Sequence, residues 1–176
     1  MGLSRLVIGG TLGLVRPGDH PEFFTRPPPE GRSRESRIVV DREGRFWHEG
    51  RLVEHRGMAE AFASWIDRHP HDGRYVLNNG YDWSYVTVED APLTVRTLHG
   101  GSEPWVELND GSREPLDASS VRVGDDGVTY CSVRGGRLMA RFSRAAQLAL
   151  APYLDQDSEG RLVLRLSERS VEVDRR

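Results

Sequence analysis

The hydrophobic pattern of the chain switches between the two-residue period of a β-strand and the three- to four-residue period of an α-helix. Short alternating runs on either side of a turn at 49–50 predict a first hairpin of strands. Between residues 57 and 69 the apolar side chains recur three and four apart, which predicts a helix that Pro70 ends. A second hairpin follows around 78–80, because Asn-Gly supplies the positive φ angles of a tight turn.

The same order of hairpin, helix and hairpin returns over residues 128–142, 145–154 and 161–173. Gly-Arg-Leu occurs at 50–52 and again at 136–138, an offset of 136 − 50 = 86 residues. The six residues Asp-Gly-Arg-Tyr-Val-Leu at 72–77 correspond to Glu-Gly-Arg-Leu-Val-Leu at 159–164, an offset of 159 − 72 = 87, so one inserted residue reconciles the two. We therefore interpret the chain as a duplication of one supersecondary unit.

These elements predict an α+β protein of two repeated units, each an antiparallel sheet packed on one helix. We place the first unit at 36–92 and the second at 93–176, after an N-terminal extension and Pro/Arg-rich linker at 1–35. Three further strands, at 93–98, 105–108 and 113–116, should extend the second sheet.

The N-terminal extension contains an apolar stretch, Leu6–Val15, and a proline-rich stretch at 23–34. Leu6–Val15 is about half as long as a membrane span, and it lacks the small-x-small site of a cleaved signal peptide. It is either an edge strand or an extension ahead of a misplaced start codon. The prolines of 23–34 favour an extended linker, so the folded body should start near Ser36.

Composition excludes several classes of partner. With 24 basic and 27 acidic residues the net charge is −3, without the basic surplus of a general nucleic-acid binder. Cys131 is the single cysteine of the sequence, so no internal disulfide can form, and a cytoplasmic location is favoured. Every basic residue is Arg, which indicates a GC-rich genome and weakens arguments from Arg clusters.

One predicted strand carries apolar side chains on both faces. Tyr81, Trp83 and Tyr85 alternate along it, while Val86 and Val88 have the opposite parity. One face must be covered by the neighbouring unit, by a ligand or partner, or by a second copy of the chain. The corresponding hairpin of the second unit has no aromatic residue, which makes this strand a candidate binding site.

A second candidate is a group of guanidinium side chains around one hairpin and the helix start that follows it. Helix N–H groups favour anions, so this group predicts a phosphate or acidic-peptide site. Its members are Arg134, Arg137, Arg141 and Arg144.

His69 and His71, between Asp67 and Asp72, are weak candidates for a divalent metal. A polar turn is the favoured interpretation, because Pro70 separates the two imidazoles. The sequence has no Gly-x-Ser-x-Gly elbow, and Cys131 falls in mid-strand, where a thiol usually packs in the core. We predict no catalytic residue and no cofactor.

Four short strings carry a family resemblance: GRFWHEG at 44–50, DGRY at 72–75, VEDAP at 88–92 and VRGGR at 133–137. On these motifs, residues 36–174 resemble bacterial domain-of-unknown-function family 1285. The resemblance implies a two-module α+β fold with repeated motifs, some likeness to pleckstrin-homology-type domains, and a link to signalling. It brings no catalytic residue. The N-terminal extension and the hairpin connection at 78–83 depart from the family pattern.

The leading functional hypothesis is a non-catalytic, cytoplasmic binding or regulatory module without a transmembrane segment. It would bind a protein or a small anionic ligand, and not nucleic acid, through the aromatic strand or the Arg hairpin. The alternatives are a metal-dependent, hydrolase-like enzyme using the His69/His71 region and a structural homo-oligomer subunit, in which the apolar face would be a homodimer contact.

Overall fold

The computed structural model describes residues 20–166 and 169–175, so the expectations for Leu6–Val15 lie outside the described residues. The described part forms two helices, α1 (Arg56–Trp65) and α2 (Arg144–Leu150), and short 3-10 turns at Pro21–Thr25, Ala118–Ser120 and Ala151–Tyr153. The strands are β1 (Glu35–Val40), β2 (Phe46–His48), β3 (Arg51–Leu52), β4 (Ile66–Arg68), β5 (Tyr75–Asn78), β6 (Trp83–Val88), β7 (Leu93–His99), β8 (Trp105–Leu108), β9 (Arg113–Pro115), β10 (Arg122–Val123), β11 (Thr129–Val133), β12 (Leu138–Phe142), β13 (Leu154–Gln156), β14 (Leu162–Leu166), β15 (Arg169–Glu172) and β16 (Asp174–Arg175).

The first unit is a six-stranded sheet in the order β3-β2-β1-β6-β5-β4. Two antiparallel ladders, β3-β2-β1 and β6-β5-β4, lie on either side of α1 in the sequence and meet where β1 pairs with β6. That central pair is parallel, with Val40 beside Val88. Parallel neighbours need a long crossover connection, and α1 lies within it.

The second unit repeats this strand order. Its strands run β12-β11-β10-β16 in a seven-stranded sheet and β15-β14-β13 in a three-stranded sheet. The parallel pair of β10 with β16 takes the place of β1 with β6, and Val173 separates β15 from β16. The sixth strand of the first unit is therefore divided into two pieces in the second.

The expected α+β class and the two repeated units are confirmed. Each unit is a mixed sheet rather than the purely antiparallel one that we expected, because its last strand returns parallel to its first. The hairpin strands β7, β8 and β9 extend the second sheet from the edge of β12, as expected, and β7 joins β12 in parallel.

Both helices begin at the predicted places and end earlier than predicted. His55 and Ser143 are the N-caps, and their side chains accept hydrogen bonds from the N–H groups of Met58 and Ala146. α1 ends at Trp65 because the next residue, Ile66, is fully buried as the first residue of β4.

The second helix ends just before a proline. α2 stops at Leu150, and Pro152 lies in the 3-10 turn Ala151–Tyr153, at an early helical position where a missing N–H costs no hydrogen bond.

One hydrophobic core runs through both units, and a close backbone contact joins them. The core includes Val40 and Phe46 of the first unit with Leu93 and Phe142 of the second. Gly44, in the β1–β2 turn, approaches β7 so closely that a Cβ there would overlap the hydroxyl of Thr94. Its φ of 76° also lies in the left-handed region that favours glycine.

We expect Gly44→Ala to destabilise the protein more than Gly160→Ala, as measured by urea unfolding. Both glycines have nearly the same φ, 76° and 77°, but no atom lies within 4 Å of a Cβ built on Gly160. Gly160→Ala should cost about 1 kcal/mol for its backbone conformation, and Gly44→Ala about 1–3 kcal/mol more for overlap with Thr94. Equal losses would contradict the close contact between the units.

Candidate functional site

The aromatic strand of the sequence prediction is shorter than expected. β6 begins at Trp83, and Tyr81 lies in the preceding turn with 74% of its surface exposed. Trp83 is buried and Tyr85 half-buried on one face of β6, whereas Val86 faces the main core on the other. Tyr81 is therefore separate from the aromatic cluster, because the Asn79 side chain accepts hydrogen bonds from the Tyr81 and Asp82 N–H groups and holds a turn there.

Residues 20–34, which we call the N-terminal strap, cover the Trp83 face. Phe23 is 2% exposed and forms a small second core with Val76 and Trp83. The ring of Phe24 lies 5.6 Å from that of Trp83, and the indole N–H of Trp83 donates to the Phe23 carbonyl at 3.3 Å. The expected extended linker is thus a packed element, because Phe23 and Phe24 remove apolar surface from water when they dock.

Arg34, the last residue of the strap, links the middle of the strap to the sheet. Its guanidinium stacks 4.3 Å over the Trp83 ring and donates to the Trp83 carbonyl at 2.6 Å. It also donates to the carbonyl oxygens of Arg26 and Pro27, at 3.2 and 3.1 Å, and pairs with Asp82. One side chain therefore ties the path of the strap to the start of β6.

His69 lies beneath the strap, at the end of β4. It is 7% exposed, and its ring centre lies 5.3 Å from Phe24, 5.0 Å from Trp83 and 5.5 Å from Tyr85. His69 Nδ1 is 3.1 Å from an Asp72 oxygen, close enough for an ion pair when protonated, but within the described part it makes no hydrogen bond of good geometry.

Tyr85 and Asp72 form the polar rim of this cluster. The Tyr85 hydroxyl donates to Asp72 at 2.7 Å, and this hydrogen bond is the main reason that the pKa of Tyr85 is raised. Partial burial acts to raise the pKa of Asp72, but the hydrogen bonds from Tyr85 and the Arg74 N–H, with the nearby His69 and Arg74, lower it overall. Arg74 lies 3.6 Å over the Tyr85 ring and pairs with Glu35.

The structure thus joins two candidates that the sequence kept apart. His69 belongs to the same cluster as Trp83 and Tyr85, and the ring centre of His71 lies 5.6 Å from that of His69. We call the surface formed by Val76, Trp83, Tyr85 and His69 the aromatic face. Among residues 20–166 and 169–175, no group of three His, Cys, Asp or Glu side chains could hold a metal ion. The arrangement suits packing of aromatic side chains rather than metal binding.

Three of the four guanidiniums in the predicted anion site are engaged by carboxylates of the protein itself. Arg137 pairs with Asp67 at 3.2 Å, and Arg141 pairs with Asp90 at 2.8 Å. Arg144 is exposed at the first position of α2. Because these carboxylates neutralise the guanidiniums, the positive charge available to an external anion is smaller than the sequence indicates. The sequence did not reveal the pairs, because the partners are 51 and 70 residues away along the chain.

Arg134 joins the two units. Its guanidinium donates to the carbonyl oxygens of Ala63 and Ile66, at 2.9 and 2.5 Å, and so caps the C-terminal end of α1. It also pairs at 2.9 Å with Asp110, whose side chain is 5% exposed. Burial acts to raise the pKa of Asp110, yet hydrogen bonds from Ser112 and Arg134 lower it overall.

Arg141 and Arg144 do face a cleft between the units. With Arg42 of the β1–β2 turn they line a depression of about 310 Å³, which Glu43 also lines. The Cys131 thiol is unreactive, since burial raises its pKa to about 12 and keeps it protonated. No described helix has the length and apolarity needed to cross a membrane.

The geometry defines a class of protein: a duplicated α+β chain with one core and an aromatic face covered by its own N-terminal strap. Two crystal structures share this fold. A DUF1285 family protein from Silicibacter pomeroyi DSS-3 is similar with a TM-score of 0.65 and 18% identity, over 79% of this chain and 80% of that one. A DUF1285 family protein from Shewanella baltica OS155 is similar with a TM-score of 0.57 and 21% identity, over 68% of this chain and 94% of that one.

These similarities support the family resemblance predicted from the motifs, at the level of the fold. Both neighbours are bacterial, which fits the predicted bacterial origin. No family model matches the chain, and no curated protein sequence matches it. The likeness to pleckstrin-homology-type domains stays a prediction.

We expect Arg134→Met to lower the free energy of unfolding by about 3 kcal/mol, because it removes the guanidinium that pairs with the buried Asp110 carboxylate and donates to the carbonyls of Ala63 and Ile66. Arg144→Met is the matched control, since Arg144 is an exposed arginine of the same predicted group; it should change stability by less than about 0.5 kcal/mol. Chemical denaturation of both variants tests this, and similar small losses would contradict the capping role of Arg134.

Proposed function

We propose that the chain is a cytoplasmic, non-catalytic binding module whose aromatic face binds a short peptide that carries two adjacent aromatic side chains in a 3-10 turn, as the strap does at Pro21–Thr25. The strap is its built-in occupant, and a partner protein would bind by taking the place of the strap. The observation that carries this proposal is the burial of Phe23, to 2% exposure, against Val76 and Trp83 on the outer face of a sheet that already has its own core.

The contacts made by the strap are those by which proteins recognise peptides. Aromatic side chains enter an apolar surface, while main-chain carbonyls accept hydrogen bonds from side chains fixed on the sheet. From the sheet, Trp83 donates to the Phe23 carbonyl; within the strap, Arg34 donates to the carbonyls of Arg26 and Pro27. Prolines lower the entropy lost when such a segment becomes ordered, because their φ angle is already restricted.

Comparison of the two units distinguishes residues that the fold requires from residues that are specific to the aromatic face. In the second unit β14 and β15 occupy the places of β5 and β6 without any aromatic residue in Arg161–Val173. A sheet of this type therefore forms without Trp83 and Tyr85. Their presence in the first unit supports a role beyond folding.

The same geometry favours binding over the alternative of a metal-dependent enzyme. His69 lies under Phe24, so a substrate would reach its imidazole only after the strap leaves. Asp72 accepts a hydrogen bond from Tyr85, which engages its carboxylate within the protein. A regulatory role linked to signalling, implied by the family resemblance, would follow from competition between strap and partner.

A trans-binding experiment tests this function. Phe23→Ser, Phe24→Ser in the full chain should release the strap and leave the aromatic face open. A fluorescent peptide of residues 20–34 should then bind with a dissociation constant in roughly the high-micromolar range, since about two aromatic side chains are buried at the cost of ordering the peptide. Wild-type protein should bind the peptide at least tenfold more weakly, because its own strap is present at a high effective concentration.

Two controls make the result specific. A peptide with both phenylalanines replaced by serine should not bind, and Trp83→Ala added to the double variant should weaken binding at least tenfold. If the double variant, shown to be folded by circular dichroism, fails to bind the peptide or binds the serine peptide equally well, the aromatic face is a structural contact and the proposal is wrong.

A further inference from the structure

The cleft between the two units is lined by more positive than negative side chains. Its lining includes three guanidiniums, those of Arg42, Arg141 and Arg144, and one carboxylate, that of Glu43. These charges sum to 3 − 1 = +2, whereas the net charge of the whole chain is −3. Glu43 is also engaged by Arg45 at 3.2 Å, and Arg45 does not line the cleft. Positive charge gathered in a concave site raises the local concentration of anions.

Two of these guanidiniums are available to a ligand in full, and the third in part. In the part of the chain that the structure describes, neither Arg42 nor Arg144 forms an ion pair or a side-chain hydrogen bond. Arg141 donates to Asp90 at 2.8 Å through Nη1, and Asp126 also acts on its charge, but neither carboxylate lines the cleft. A guanidinium has five N–H donors, so Arg141 keeps donors for a second acceptor.

The wall that carries Arg42 is fixed by hydrogen bonds. The Asp41 carboxylate accepts hydrogen bonds from the N–H groups of Glu43 and Arg45, at 3.0 and 2.8 Å, and so holds the β1–β2 turn in one conformation. The close approach of Gly44 to β7 then sets this turn against the second unit. The Arg42 backbone is therefore positioned at the cleft without any ligand.

The opposite wall is fixed in the same way. Arg144 is the first residue of α2, and Ser143 before it donates from its N–H to the Val95 carbonyl at 2.9 Å. The Ser143 hydroxyl donates to the Arg96 carbonyl at 3.1 Å, which ties the start of α2 to β7. Arg141 extends from the neighbouring strand β12. Because both walls are ordered in advance, a ligand would bind at a smaller cost in entropy.

We propose that this cleft binds a small phosphate monoester, and that Arg42, Arg141 and Arg144 contact its oxygens. A carboxylate presents two oxygens in one plane and suits one bidentate arginine, whereas a phosphate monoester presents three strongly accepting oxygens that point in different directions. Three guanidiniums from separate elements match the phosphate group better. The cleft volume of about 310 Å³ lies at the lower end of the range for small-molecule sites, so the ligand is small.

This site differs from the anion site that the sequence predicts. Arg134 caps α1 and Arg137 pairs with Asp67, so these two contribute to the contact between the units. Arg42 takes their place, although it lies 141 − 42 = 99 residues before Arg141 and belongs to the other unit. The cleft shares no residue with the aromatic face, so phosphate binding is independent of the proposed peptide binding.

An NMR titration of the full chain tests the proposal. Arginine Nε–H signals are followed at constant ionic strength, since unspecific attraction between exposed charges is then unchanged. Inorganic phosphate and glycerol phosphate should bind with saturation, with dissociation constants roughly in the millimolar range, and should shift the signals of Arg42 and Arg144. Both should also raise the melting temperature, because they bind the folded state. Acetate, and glycerol without phosphate, should bind at least tenfold more weakly.

Two double variants locate the site. Arg42→Gln, Arg144→Gln should weaken the binding of glycerol phosphate at least tenfold, and should fold normally because both side chains are exposed. Arg51→Gln, Arg122→Gln is the charge-matched control, since both arginines are exposed and lie outside the cleft, and it should change binding less than about twofold. The proposal is overturned if neither phosphate compound saturates, if acetate binds as tightly as inorganic phosphate, or if the first variant loses no more affinity than the second.

Discussion

Two neighbouring strands of the first sheet are apolar on both faces, and this constraint determines how the N-terminal part of the chain is used. Val76 and Leu77 are consecutive in β5 and point to opposite faces, yet both are buried. Leu77 belongs to the core shared by the two units, and Val76 belongs to the cluster of Phe23 and Trp83. If the strap were absent, each of these outer side chains would be exposed to water, at a cost of about 1.5–3 kcal/mol of stability per side chain.

The proposed function divides the molecule into a rigid part and an exchangeable part. The rigid part is a single core, closed between the units by Gly44 against Thr94 and by Arg134 on the end of α1. The strap contacts one face of one sheet, so in the proposed function its release would expose the aromatic face and leave the core intact. A binding surface that carries its own removable cover allows a partner to compete for it.

The sequence predicts what depends on neighbouring residues and fails where distant residues meet. Both helices, the hairpins and the duplication follow from local periodicity and turn residues. The cover of Trp83 could not be predicted, because Phe23 is 60 residues away and lies in a proline-rich stretch that resembles a linker. The pair Phe23-Phe24 within that polar stretch was the available signal. The partners of Arg134, in α1 and at Asp110, are also distant in the sequence and could not be predicted. The sequence therefore indicated an anion site at the hairpin that carries Arg134.

Native-state amide hydrogen exchange tests the central claim most directly, since it measures local opening separately from global unfolding. The Phe23 N–H bonds to His20, that of Arg26 to Phe23, and that of Tyr85 to Arg34 at the base of the strap. We predict that Phe23 and Arg26 exchange together through an opening well below the free energy of global unfolding, while Val40 exchanges only on global unfolding. If the strap amides exchange at the same free energy as Val40, the strap is an inseparable part of the core, and the aromatic face is not a binding site.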